Sequence, residues 1–161
     1  MIEGGVIERT GNRQPRKILA VASGGGHWEQ MMLLRDTLER FDATFVTTSD
    51  ALVKRAQLSN VHIIPDCNRD TILVAARSLF QAIQIVFRER PDIVITTGAL
   101  PGLFCLLAGR WAGARTVWLD SVANVEKLSS SGRAASKFAS LCLTQWEHLA
   151  IGRVRFAGRL L

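Results

Sequence analysis

Ser23-Gly24-Gly25-Gly26-His27 follows the apolar run KILAVA and precedes a helix-like pattern. Glycine lets backbone amides approach a ligand closely, and a helix N-terminus favours an anion, so a phosphate or diphosphate is the natural occupant. A second glycine loop, TTGALPG, holds Gly98, Pro101 and Gly102, with Pro101 suited to a first helical turn. A third polar stretch, DSVANVEKLSSSGR, runs from Asp120 to Arg133. Within it Asp120 could orient a hydroxyl or act as a base, and Lys127 and Arg133 could pair with phosphate. His27, at a helix start where the dipole disfavours a charged ring, could accept a proton or donate to a ligand. Each feature also has a plain structural reading: a tight turn, a lone structural histidine, a solvated loop.

Other chemistries fit less well. The first loop is not G-x-G-x-x-G, because Glu29 takes the place of the third glycine, although Asp50 stands roughly where a ribose-binding acid would. No Gly-Lys-Ser/Thr follows, so it is not a P-loop. His62 and His148 read as structural. Cys67, Cys105 and Cys142 are far apart and form no CxxC pair, so neither a metal site nor a disulfide framework is expected.

The elements that must position these loops alternate. Apolar, β-branched runs at 17–23, 43–49, 61–65, 91–98, 114–120 and 140–145 predict strands, and the tail RVRFAGRLL can add a short one. Helices are expected at 28–40, with Met31, Leu34 and Leu38 inward, and at 51–57, 71–90, 103–113 and 133–139. In the long helix, Ile72, Ala76, Leu79, Ile83 and Val86 line one face, with Asp70 as N-cap. Near-continuous apolar strands separated by helices predict an α/β fold: one Rossmann-like, doubly wound parallel sheet over residues 17–161, after a flexible polar leader at 1–16. In such a sheet ligands bind at the carboxyl ends of the strands, where all the loops above lie.

Composition narrows the surroundings. Residues 1–109 hold 12 basic and 11 acidic side chains, and residues 110–161 hold 8 and 3, so the second part is basic and suits an anionic partner. The leader has no apolar core of a secretion signal, and no window is apolar enough to span a membrane. Few cysteines suit a reducing compartment. Trp111, Trp118 and Trp146 read as core candidates. Alternatively, helices 71–90 and 103–113, ringed by Arg77, Arg88, Arg90, Arg110 and Arg115, could touch a bilayer surface.

Taken together, Ser23–His27, Gly98-x-x-Pro-Gly102, Asp120-Ser121 leading to Leu128-Ser129 and Ser131-Gly132, Gln145-Trp146 and Ala157-Gly158 resemble one family. It is the Alg-fourteen-type subunit of UDP-GlcNAc transferase, and the pattern is also similar to PssD-type exopolysaccharide proteins. The resemblance covers residues 17–161. It implies the N-terminal half of a GT-B glycosyltransferase similar to lipid II synthase. A separate catalytic subunit would supply the other half and most of the UDP-sugar site, so no cofactor of its own is expected. This chain would recruit that subunit to the membrane and help bind a polyprenyl-diphosphate-linked acceptor. No nucleic-acid partner is expected.

The resemblance makes His27 and Asp120 the candidate catalytic residues. The expected acceptor and diphosphate site is Ser23, Gly24, Gly25, Gly26, His27, Gly98, Pro101, Gly102, Ser121, Asn124, Ser131, Gly132 and Arg133, with Gln145 and Trp146 at the cleft or partner surface. Where the family often has Glu-Ser-x-x-Arg, this chain has Asp120-Ser121 and then Asn124. Eukaryotic members carry an N-terminal anchor. The short polar leader here favours a bacterial, cytoplasmic form held peripherally on the inner face of the plasma membrane. Two other readings stay open: a free-standing nucleotide or dinucleotide domain, and a non-enzymatic scaffold that recruits a partner to the membrane.

Overall fold

The structure, a computed structural model, describes residues 15–67 and 72–160. Its elements are β1 (Lys17–Val21), α1 (Gly26–Met32), α2 (Arg35–Leu38), β2 (Asp42–Thr47), α3 (Asp50–Ala56) and β3 (Val61–Ile63). After them come α4 (Ile72–Glu89), β4 (Ile93–Thr96), α5 (Ala99–Trp111), β5 (Arg115–Leu119), α6 (Ser130–Ala135), β6 (Leu141–Thr144), a 3-10 turn (Glu147–Leu149) and β7 (Val154–Phe156). The strands form one sheet in the order β3-β2-β1-β4-β5-β6-β7, and every neighbouring pair is parallel. The α/β, Rossmann-like expectation is what the chain adopts.

Side-chain alternation divides the core. Ile18, Ala20 and Phe45 point to the face packed by Trp28, Met31 and Leu38 of α1 and α2, with Leu52 of α3 against them. Leu19, Val21, Val46, Val94 and Trp118 point to the other, packed by α4, α5 and α6. Gly102 lets α5 lie close on β4, because a Cβ there would run into the Thr96 side chain. On the first face, Ile95, Val117 and Leu143 stay half-buried, and Leu34 and residues 157–160 close over them around a small cleft of about 170 Å³.

Several expectations change. The helix expected at 28–40 is two short helices, since Leu34 N–H bonds to Met31 O and tightens the turn before α2 begins. The helix expected at 103–113 starts at Ala99, directly on the glycine loop. The one expected at 133–139 is Ser130–Ala135. The buried face of α4 is Ser78, Ala82, Ile85 and Val86, while Ile72 is 79% exposed and Ala76 also faces out. This helix is apolar on more than one side, so apolar spacing alone selects a stripe rotated from the true one. Trp111 is not core but 75% exposed at the end of α5, whereas Trp118 is fully buried. The proposed N-cap Asp70 and most of the leader lie outside the described residues.

All three cysteines are buried. Burial pushes the Cys105 thiol up to about 12, and burial together with the nearby Asp120 carboxylate pushes Cys142 up to about 12. Such thiols behave as small core hydrophobes rather than nucleophiles.

Candidate functional site

In this strand order β1 and β4 are neighbours whose following loops diverge, which creates the switch point. The two glycine loops meet there. His27 Nδ1 lies 2.8 Å from the Thr97 carbonyl oxygen, and Thr97 Oγ1 donates to the His27 carbonyl at 2.7 Å. Gly98 has φ 138, and a Cβ on it would stand 2.5 Å from His27 Cε1. Only glycine both adopts that backbone and leaves room for the ring. The next residue, Ala99, is also left-handed, with φ 66, a conformation costly for a residue with a Cβ.

The first loop divides its amides. Gly24 N–H donates to Thr48 Oγ1 at 3.0 Å, whereas the amides of Gly25, Gly26, His27 and Trp28 have no acceptor among the described residues. Ser23 is buried at the loop's start. Pro101 is buried in the first turn of α5.

Asp120 is 1% exposed at the end of β5, and no cation pairs with it among the described residues. Four donors hold its carboxylate instead. Trp118 Nε1–H and Ser129 Oγ–H donate to Oδ1 at 3.1 and 2.6 Å. Asn124 Nδ2–H and Ser129 N–H donate to Oδ2 at 3.2 and 3.0 Å. Ser129 Oγ in turn accepts from Gly132 N–H at 2.8 Å and caps α6. A Cβ on Gly132 would lie 2.6 Å from Asp120 Oδ1, so this glycine makes room for the carboxylate. Asp120 therefore folds the polar loop onto itself. Arg133 stays exposed and is tied to the same loop, donating to Leu128 O at 2.9 Å and to Ser130 Oγ at 3.2 Å.

A second buried network joins this loop to α1 and the tail. Gln30 Nε2–H donates to Gly26 O at 3.2 Å and to Ser121 Oγ at 3.0 Å. Gln30 Oε1 accepts from Val122 N–H at 3.2 Å and from Gln145 Nε2–H at 2.7 Å. Gln145 also donates to Asp120 O at 3.2 Å, and its Oε1 accepts from Leu160 N–H at 3.0 Å. Beside it, Trp146 Nε1–H donates to Val122 O at 2.8 Å, and the Arg159 guanidinium sits 4.5 Å from the Trp146 ring centre. His148 holds the Val125 carbonyl at 2.6 Å, and His62 pairs with Glu89 at 2.8 Å.

Together these loops line an open cleft of about 510 Å³ formed by His27, Cys67, Ala99, Leu100, Ser121, Ala123, Asn124 and Ser129, Ser130 and Ser131. Among its described residues there is no lysine or arginine, so anything polar bound here meets neutral hydroxyls, amides and one imidazole. No group of three or more His, Cys, Asp or Glu side chains gathers as metal ligands among the described residues. Of the residues singled out from sequence, His27, Ser121, Asn124 and Ser131 line the cleft, Gly24 to Gly26 and Gly98 shape its loops, and Gly102, Gly132, Gln145 and Trp146 act in the support behind it. Gln30 was not among the residues singled out from sequence, and Thr97 and Ser129 stood in the quoted motifs without a site role. The available signal for Gln30 was a polar residue between Trp28 and Met31, on the buried side of α1.

One parallel sheet with this order and a cleft at its switch point has the fold of the N-terminal domain of a GT-B glycosyltransferase. A family model described as "Oligosaccharide biosynthesis protein Alg14 like" matches residues 46–160, and the chain belongs to that family. A UDP-N-acetylglucosamine transferase subunit ALG14 from Yarrowia lipolytica is 22% identical over 174 residues, covering 91% of this chain and 80% of the relative. Among solved structures, MurG from Acinetobacter baumannii aligns with a TM-score of 0.75 at 14% identity, covering 89% of this chain and 46% of MurG. A UDP-N-acetylglucosamine 2-epimerase from Rickettsia bellii gives 0.70 at 10% identity, covering 91% and 46%. The chain thus spans less than half the length of these solved proteins, and at such identities the likeness is one of fold.

The buried amide pair generates a prediction. Gln145→Leu removes one of the two donors to Gln30 Oε1 and the acceptor of Leu160 N–H, and a buried polar group left without its partner costs about 1–3 kcal/mol. Urea unfolding should show a loss of that size, and hydrogen exchange at the Leu160 amide should quicken.

Proposed function

We propose that this chain is the acceptor-binding subunit of a two-component glycosyltransferase that builds lipid-linked oligosaccharide or exopolysaccharide. The observation that carries the reading is a polar cleft open at the switch point of one Rossmann-like unit, in a chain that matches the Alg14-like family over residues 46–160. The catalytic subunit, holding the UDP-sugar, would face this cleft. A polyprenyl-diphosphate-linked acceptor would place its diphosphate against the unpaired amides of Gly25, Gly26 and His27, with the hydroxyls of Ser121 and Ser131 and the amide of Asn124 on its polar head.

His27 is the base in this reading. Its Nε2 takes the proton of the acceptor hydroxyl, the hydroxyl oxygen bonds to the sugar's anomeric carbon, and the bond from that carbon to UDP breaks, releasing UDP. Asp120 supports the site from behind, because four internal donors occupy both its oxygens. With the two subunits reconstituted, His27→Ala should lower transfer by about 10²–10⁴-fold, the usual worth of a general base. Wild-type rates in that variant would leave the chain a recruiting scaffold, and full transfer by this chain without a partner would end the two-subunit reading.

Membrane contact falls to α4. Leu73, Phe80 and Phe87 are 86%, 61% and 55% exposed and lie seven residues apart, so they form one outward stripe along the helix. Arg77, Arg88 and Arg90 flank that stripe, and the exposed Trp111 ends the adjacent α5. No helix among the described residues is long and apolar enough to cross a membrane, so the stripe would lie at the interface, on the inner face of a plasma membrane. Replacing Leu73, Phe80 and Phe87 together with serine should reduce sedimentation with anionic phospholipid vesicles by about tenfold or more. Unchanged binding would place the membrane surface elsewhere.

A further inference from the structure

We infer that Thr97 is a positioning residue that fixes which nitrogen of His27 faces the cleft; the inference rests on the reading of His27 as the base. Thr97 is fully buried, and each of its polar groups is committed to the end of β1 or the start of α1. Its N–H donates to Val21 O at 3.4 Å, its carbonyl meets His27 Nδ1 at 2.8 Å, and its hydroxyl donates to the His27 carbonyl at 2.7 Å. A carbonyl oxygen can only accept, so Nδ1 must carry the hydrogen. In the neutral ring the lone pair is then on Nε2, the nitrogen left for a substrate proton.

The free imidazole prefers its hydrogen on Nε2, so the Nδ1–H form is one the protein imposes. The Thr97 carbonyl imposes it by accepting from Nδ1–H, and Gly98, where a Cβ would stand 2.6 Å from Nδ1, leaves the ring room to make that bond. The hydroxyl keeps that carbonyl in place, because its bond to the His27 backbone closes a two-way link between residues 70 positions apart. Thr97 touches the base and not the cleft, whose lining does not include it.

Histidine-labelled full-length chain, examined by long-range ¹H–¹⁵N spectra at a pH where the ring is neutral, reads the tautomer directly. His27 should be in the Nδ1–H form in the wild type and in Thr97→Ser, which keeps the hydroxyl. Thr97→Val should give a mixture of the two forms. In the reconstituted two-subunit complex, Thr97→Val should lower kcat by about tenfold, the scale of one hydrogen bond, with the acceptor KM within about twofold. Thr97→Ser should restore kcat. An Nε2–H ring in the wild type, or an unaltered tautomer in Thr97→Val, overturns the positioning role whatever the rates. A changed tautomer with unchanged transfer supports that role and removes His27 as the base.

Discussion

A hydrogen bond between two side-chain amides, Gln145 Nε2–H to Gln30 Oε1 at 2.7 Å, closes the carboxyl edge of the sheet. Both glutamines are buried, and leaving either amide unpaired would be expensive, so the groups they bind must be in place together. Those groups come from α1, the loop after β5, the end of β6 and the C-terminal tail. The Asp120 carboxylate works by the same rule a few residues away. Buried without a cation among the described residues, it is compensated by four hydrogen bonds, all from its own strand and the loop that follows. A rigid edge follows from polar groups that have nowhere else to go. His27 sits on that edge, held to the second glycine loop by Thr97.

Much of the fold was legible because parallel strands buried on both faces leave a plain mark: short, nearly continuous apolar runs such as IVIT and LCLT. Where periodicity had to choose a face, it was less informative. The helix α4 is apolar on two sides, one for the core and one for the surface, and Trp111 looks like a core residue until its place at a helix end is known.

The glycines show a different limit. In a sequence, a missing side chain looks the same whether a ligand, a ring or a carboxylate fills the gap. Gly98 makes room for the His27 ring, Gly132 for Asp120 and Gly102 for Thr96. The first loop differs, because Gly25 and Gly26 are exposed and their amides have no acceptor among the described residues. Gln30 was hard to read because, apart from Gly26 O, its partners lie 91 to 115 residues away.

The central claim is that an acceptor diphosphate rests on the first glycine loop beside His27. It is tested most directly by titrating the ¹⁵N-labelled chain with a water-soluble, short-chain prenyl-diphosphate sugar and following backbone amide shifts. The account predicts saturable shifts centred on Gly25, Gly26, His27 and Trp28, with smaller ones across Asn124 to Ser131, and little response to UDP-N-acetylglucosamine alone. Shifts confined to other surfaces, or a first loop that answers only to the UDP-sugar, would contradict it.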